Sequence, residues 1–138
     1  FFLDTSPDVV AKQLCYIWNT EAGDKAMLSM DIRGDNVIGE FYFLPFEKDS
    51  KVGIFKGVVS PLDENTNKKT VYSIWETKAE GATVKEEFYI IYEEGGVASP
   101  GFGEMQDRGD GVYLYADPEK VSYPINLQQT DCGDEAMD

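Results

Sequence analysis

The chain has 138 residues and a mass of 15.5 kDa, enough for one domain with its own core and short for two. Its 12 Lys+Arg against 26 Asp+Glu give a formal charge of −14, and such a surface repels phosphate backbones, which argues against nucleic acid as a partner. Apolar residues at 42% and aromatics at 13% exclude a disordered chain, and no run approaches the ~18 apolar residues of a transmembrane segment.

In chain order, Phe1 stands where Met is usual, which predicts a removed leader or a trimmed chain. Residues 1–12 read as a lead-in segment. Within residues 6–14 the choice is open between a turn or two of helix, with Ser6 as cap and Pro7 at the first helical position, and an extended segment. Residues 13–18 suit a first strand. In residues 25–32, Ala26, Leu28, Met30 and Ile32 alternate with Lys25, Ser29 and Asp31, the two-residue period of a half-buried strand. Arg33-Gly34-Asp35-Asn36 supplies a hairpin turn, and residues 37–44 the return strand, which Pro45 ends. A charged connection over residues 47–51 leads to a strand at 52–59. The polar stretch 63–69 has no period and reads as a mobile loop.

Further strands are expected at residues 70–77 and 84–92, parted by a turn at Gly81, and three shorter ones at 101–105, 111–115 and 121–127. Residues 133–138 read as a frayed acidic tail. The sum is an all-β chain, an antiparallel meander of about eight or nine strands closing into a small lipocalin-like barrel, with residues 1–138 forming a single domain. Gly39, Gly53 and Gly57 fall inside strand patterns, where sharp coiling or a closely approaching backbone is the expected reason. Phe41, Phe43, Phe55, Trp75, Phe88 and Tyr92 form the presumed core. Trp18, Tyr42, Tyr72 and Tyr89 fall on the other register and are expected to face outward, as candidates for a protein interface.

The chain has no His, so Ser-His-Asp and Cys-His mechanisms lack their base. Glu86 and Glu87 are paired carboxylates, but strand neighbours point to opposite faces. No enzyme activity and no cofactor are expected. Asp107, Asp110 and Asp117, with carbonyls near Gly109 and Gly111, are candidate calcium ligands; the plainer reading is solvated turn carboxylates. Arg33-Gly34-Asp35 and Arg108-Gly109-Asp110 spell an adhesion tripeptide, yet each lies where a turn wants Gly and Asp anyway. Cys15 and Cys132 are either a pair of reduced core thiols or, the reading preferred here, a disulfide joining the two ends of the chain, which implies an extracytoplasmic location.

Cys15-Tyr16, the stretches 24–30, 34–40 and 53–57, Glu47-Lys48-Asp49, residues 80–88, Gly101-Phe102-Gly103-Glu104 and the segment 127–132 together resemble a group of small bacterial envelope lipoproteins without assigned function. The resemblance covers roughly residues 15–132 and implies a β architecture and an envelope location, at the outer membrane, in the periplasm or secreted. Those proteins carry a lipidated Cys at the mature N-terminus, whereas Ala11-Lys12-Gln13-Leu14 does not offer the small residues a lipidation site needs before Cys15. The anchor would therefore lie upstream of Phe1, or the protein is soluble. The expected function is that of a non-enzymatic envelope or secreted accessory protein, a subunit of a larger surface assembly with a protein partner. Two alternatives are a lipocalin-like carrier, with an apolar cavity of roughly a few hundred cubic ångströms, and an acidic inhibitor of a cationic enzyme such as lysozyme.

Overall fold

The alternation of apolar and polar side chains sets six long strands. In the computed structural model, which describes residues 11–47, 50–79 and 81–132, these are β1 (Lys12–Asn19), β2 (Lys25–Arg33), β3 (Asn36–Leu44), β4 (Lys51–Val59), β5 (Lys69–Ala79) and β6 (Ala82–Tyr92). Four short strands follow: β7 (Val97–Pro100), β8 (Met105–Asp107), β9 (Val112–Tyr115) and β10 (Leu127–Thr130). Strands β1 to β7 pair in sequence, each antiparallel to the last except that β10 stands between β1 and β7, so that eight strands close a ring of hydrogen bonds. The all-β barrel architecture expected from the sequence is the one observed. The β8–β9 hairpin lies outside the ring, attached where β9 pairs parallel with β6 at Lys85 and Glu86.

Two sequence expectations are corrected. Residues 101–105 are not one strand; 101–104 cross between β7 and β8, which begins at Met105, with Phe102 bridged to Ser122. Residues 121–127 are not one either: Asp117 accepts a hydrogen bond from the Glu119 amide and caps a 3₁₀ turn at Pro118–Lys120, Pro124 has no ladder donor to give, and pairing starts only at Leu127. The polar stretch 63–69 is a turn, as its composition suggests, with Asp63 bridged to Lys68, Asn67 in the left-handed region and its side chain donating to Glu93 (3.1 Å). The helix-or-extended question at residues 6–14 is answered only from Lys12 on, where the chain is strand; residues 1–10 and the tail 133–138 lie outside the described residues.

Inward positions fill the barrel. Phe41 stacks on Phe88 (centroids 5.1 Å), Phe88 on Trp75 (4.9 Å), and Phe55 meets Phe88 edge-on (5.6 Å), all in a core with Tyr16, Leu28, Met30, Val71, Ile90 and Leu127. Phe43 is only partly buried and packs against that core from one end. The strand glycines permit this tightness: a Cβ at Gly53 would fall on the Glu76 carbonyl, one at Gly57 on the Tyr72 carbonyl, and one at Gly39 on the Ser29 carbonyl and the Phe55 ring. Close approach of neighbouring backbone is thus the reason for all three.

Cys15, on β1, is bonded to Cys132, just past β10, across a Cα–Cα distance of 5.4 Å and a sequence separation of 117. No helix among the described residues is long and apolar enough to cross a membrane. Reducing the bond, or replacing both sulfurs with Cys15→Ser and Cys132→Ser, is expected to lower unfolding free energy by ~2–5 kcal/mol because the released loop is long; a urea midpoint unchanged by reductant would refute this. Gly53→Ala is expected to cost about 1–3 kcal/mol through overpacking against β5, measured the same way.

Candidate functional site

Side chains pointing away from the core on β3, β4 and β5 form an apolar surface. Cross-strand register puts Ile38 beside Lys56 and Lys56 beside Ile74, while Ile54 and Val58 flank Lys56 along its own strand. Val58 in turn faces Tyr72. Ile38, Ile54, Val58, Tyr72 and Ile74 are between 37% and 50% exposed, so five large apolar side chains surround one lysine on a surface open to solvent. The charges of this face balance in sign, with Lys56, Lys78 and Lys85 against Glu40, Glu76 and Glu87, and Lys85 lies 3.9 Å from Glu76. On a chain of net charge −14, a face without net charge is unusual, and it is where another acidic protein could approach with least repulsion.

The four aromatic residues expected to face outward separate. Tyr72 and Tyr89 are opposite each other on β5 and β6 and meet edge-on at 5.2 Å, and Tyr89 continues onto Tyr115 at 4.6 Å. Tyr42 also points outward, donating to Glu40 (2.8 Å), but its register neighbours are Met27 and Val52, toward the other end of the strands. Trp18 is a correction: it pairs with the buried Ala26, shares the inward register of Leu14 and Tyr16, and packs against the core. The outward register of β1 is that of Cys15 and Ile17, so its aromatic residues belong inside.

The three calcium candidates are each held locally. Asp107 accepts from the Gly109 amide (2.8 Å), Asp110 forms an ion pair with Arg108 (2.6 Å), and Asp117 caps the 3₁₀ turn. Arg108 holds the Asp110 carboxyl below the usual carboxylate range. Among the described residues no three His, Cys, Asp or Glu side chains gather where a metal could be shared. Both Arg-Gly-Asp triplets sit in turns, with Gly34 and Gly109 at positive φ, and Arg108 is engaged by its own Asp110.

A second concavity was missed at sequence level. Where β7 stops short, pairing only with the last residues of β6 (Ile90 to Tyr92), the barrel mouth is walled instead by the 101–104 crossing and the β8–β9 hairpin. It encloses about 260 Å³ between Phe43, Trp75, Phe88, Phe102, Met105 and Tyr115. Lys51 and Glu86, both on inward registers, meet in this mouth: the ammonium donates to both carboxylate oxygens (2.9 and 2.8 Å) and lies 5.0 Å over the Trp75 ring. The signal was present, since Glu86 is in phase with Phe88 and Ile90, and Lys51 in phase with Gly53 and Phe55. Glu86 and Glu87 do point to opposite faces. Glu87 accepts from the Tyr89 hydroxyl (3.0 Å) and the Tyr115 amide (3.0 Å), and the Tyr115 hydroxyl donates to the Gly101 carbonyl (3.0 Å) while accepting from the Tyr89 amide (3.1 Å).

Compared with known protein families, curated sequences and solved structures, the chain matches none.

Burial, and then the hydrogen bond to Glu87, pushes the Tyr89 phenol up to about 12; burial and nearby Glu94 push Tyr92 up to about 12. Burial raises Tyr16 and Tyr115 as well. Tyr89 and Tyr92 each have a higher pKa folded than unfolded, so their contribution to stability is complete below the unfolded value near 10.0 and is lost as pH rises through about 12. The urea midpoint is therefore expected to fall between those limits, with tyrosinate absorbance appearing together with unfolding. A midpoint flat across that window would refute the assignment.

Proposed function

We propose that the protein is a non-enzymatic, extracytoplasmic accessory protein that docks a protein partner through the outer face of β3 to β5. The observation that carries this reading is the exposed, charge-balanced apolar surface around Lys56, formed by Ile38, Ile54, Val58, Tyr72 and Ile74. Contiguous apolar surface exposed on a soluble chain is characteristic of interaction sites. The Cys15–Cys132 bond supports a compartment outside the reducing cytoplasm. Membership of a surface assembly, and tethering by a lipid upstream of Phe1, belong to the same reading and rest on the resemblance to envelope lipoproteins.

Size-exclusion chromatography and pulldown from native envelope membranes are expected to give a complex larger than the monomer, with one co-purifying protein in stoichiometric amount. The double variant Ile54→Glu, Ile74→Glu changes exposed positions only, so the barrel should stay folded while the complex is lost. A strictly monomeric protein, or a partner retained by the folded double variant, would overturn the proposal.

A second reading, binding of a small ligand, has one observation in its favour: the aromatic-lined space of about 260 Å³ at the barrel mouth. Phe41, Phe55, Trp75 and Phe88 occupy the barrel interior, so ligand space within the barrel lies at that mouth and not along the axis.

A further inference from the structure

The barrel mouth already holds one ammonium. Lys51 Nζ lies 5.0 Å from the centroid of the Trp75 ring and donates to both oxygens of Glu86 (2.9 and 2.8 Å), so a cation is received there by a ring face and a carboxylate together. The Glu86 side chain is only 16% exposed, whereas that of Lys51 is 41% exposed and has a flexible four-carbon stem. The carboxylate and the ring are therefore the fixed parts of this arrangement, and the ammonium is the part that can leave. Beside the pair lies the space of about 260 Å³, which Phe43, Phe88, Phe102 and Met105 also line. Glu87 lines it too, and its bonds are to the Tyr89 hydroxyl and the Tyr115 amide, with no ion-pair partner among the described residues. One ammonium thus faces two carboxylates, and the wall is negative, as the whole chain is. A carboxylate and a ring face next to apolar space suit a cation carried on an apolar body, and the field of the chain favours a cation over an anion.

We propose that the barrel mouth binds a small organic monocation, an ammonium on a ring-sized apolar body, which takes the place of the Lys51 ammonium against Glu86 and Trp75 while its body lies among Phe43, Phe88, Phe102 and Met105. This rests on the small-ligand reading above and is independent of docking on the outer face. Size fits: a cavity of about 150 Å³ holds benzene, so about 260 Å³ holds a ring with a short substituent. The exchange balances in charge and in hydrogen bonds. Lys51 turns its N–H groups to water, the incoming ammonium donates to the same two oxygens, and Glu86 keeps a partner throughout. What the ligand adds over Lys51 is the apolar surface that its body buries among the rings.

The test is a titration of the ¹⁵N-labelled full chain, at constant ionic strength, with benzylammonium, benzyl alcohol and benzoate, three probes that share a ring and differ in charge. Benzylammonium is expected to saturate, to shift the signals of Trp75 and Glu86, and to bind at least about tenfold more tightly than the other two, a factor equivalent to ~1.4 kcal/mol. Lys51→Met removes the resident ammonium and keeps a chain of similar length. Benzylammonium should bind that variant at least about tenfold more tightly than wild type, because a tethered competitor at high effective concentration is gone, and benzyl alcohol should be hardly affected. Glu86→Gln should erase the preference for the cation over the alcohol. A Lys51–Glu86 pair that only holds the mouth in shape would give the opposite result for Lys51→Met, weaker binding of every probe. Amide spectra show whether each variant folds, and the wild-type series decides the matter if neither does. If no probe binds saturably, the small-ligand reading falls with this inference. If the three probes bind alike, if benzyl alcohol or benzoate binds best, or if the folded Lys51→Met variant binds benzylammonium no more tightly than wild type, only the inference falls.

Discussion

Everything in this barrel hangs on the joint between its first and last strands. β2 through β6 are long and paired along most of their length, but the ring is completed by a four-residue strand that meets β1 at three register positions and β7 at two. So short a ladder is a weak seal for a core of stacked aromatic rings, because the edges it covers would otherwise offer unpaired backbone to water or to another chain. The Cys15–Cys132 bond sits at this seam. It confines β10 beside β1 even when the hydrogen bonds open, so the thinnest part of the wall is the one held covalently.

A ring closed this way encloses little free space. Three glycines let neighbouring strands approach until a side chain would strike the next backbone, and the rings of Phe41, Phe55, Trp75 and Phe88 take up the interior. The two ends of the barrel then differ. At one end Tyr16 donates to the Glu93 carbonyl (2.9 Å) and Leu14, Ile32, Val59 and Tyr92 pack the interior. At the other, β7 leaves most of β6 uncovered, and a crossing loop and hairpin stand in its place around a charged pair. The outer face of β3 to β5 is the reverse case, a continuous wall whose exposed side is apolar where the rest of the molecule is acidic.

The long strands were legible because their environment is simple: one face wet, one face dry, side chains alternating. β2 and β3 carry that alternation with almost no exceptions, and the predicted Gly34 turn between them adopts the positive φ it needs. The short strands were not legible, because what pairs them is tertiary. β7 ends in Pro100 and β10 reads Leu-Gln-Gln-Thr, neither of which alternates; they are strands only because the neighbouring edges exist. Residues 121–127 looked strand-like by composition, but the capped turn before them and Pro124 within them take the backbone out of the ladder. Trp18 was misread for a related reason. Its face follows from the disulfide, since Cys15 points out of the barrel toward Cys132 and fixes Tyr16 and Trp18 inward. The Lys51–Glu86 pair was written in phase with the core residues but on strands far apart in sequence, so no local pattern could join them.

The β8–β9 hairpin is an appendage, fastened to β6 by a two-residue parallel ladder and by the bonds of Glu87 and Tyr115. No strand of the ring passes through it, so the eight-stranded wall closes without it. Native-state hydrogen exchange is then expected to show two tiers, with the hairpin amides exchanging through a partial opening less costly than global unfolding. Because the same hairpin forms one side of the barrel mouth, such an opening would widen that mouth while leaving the ring intact.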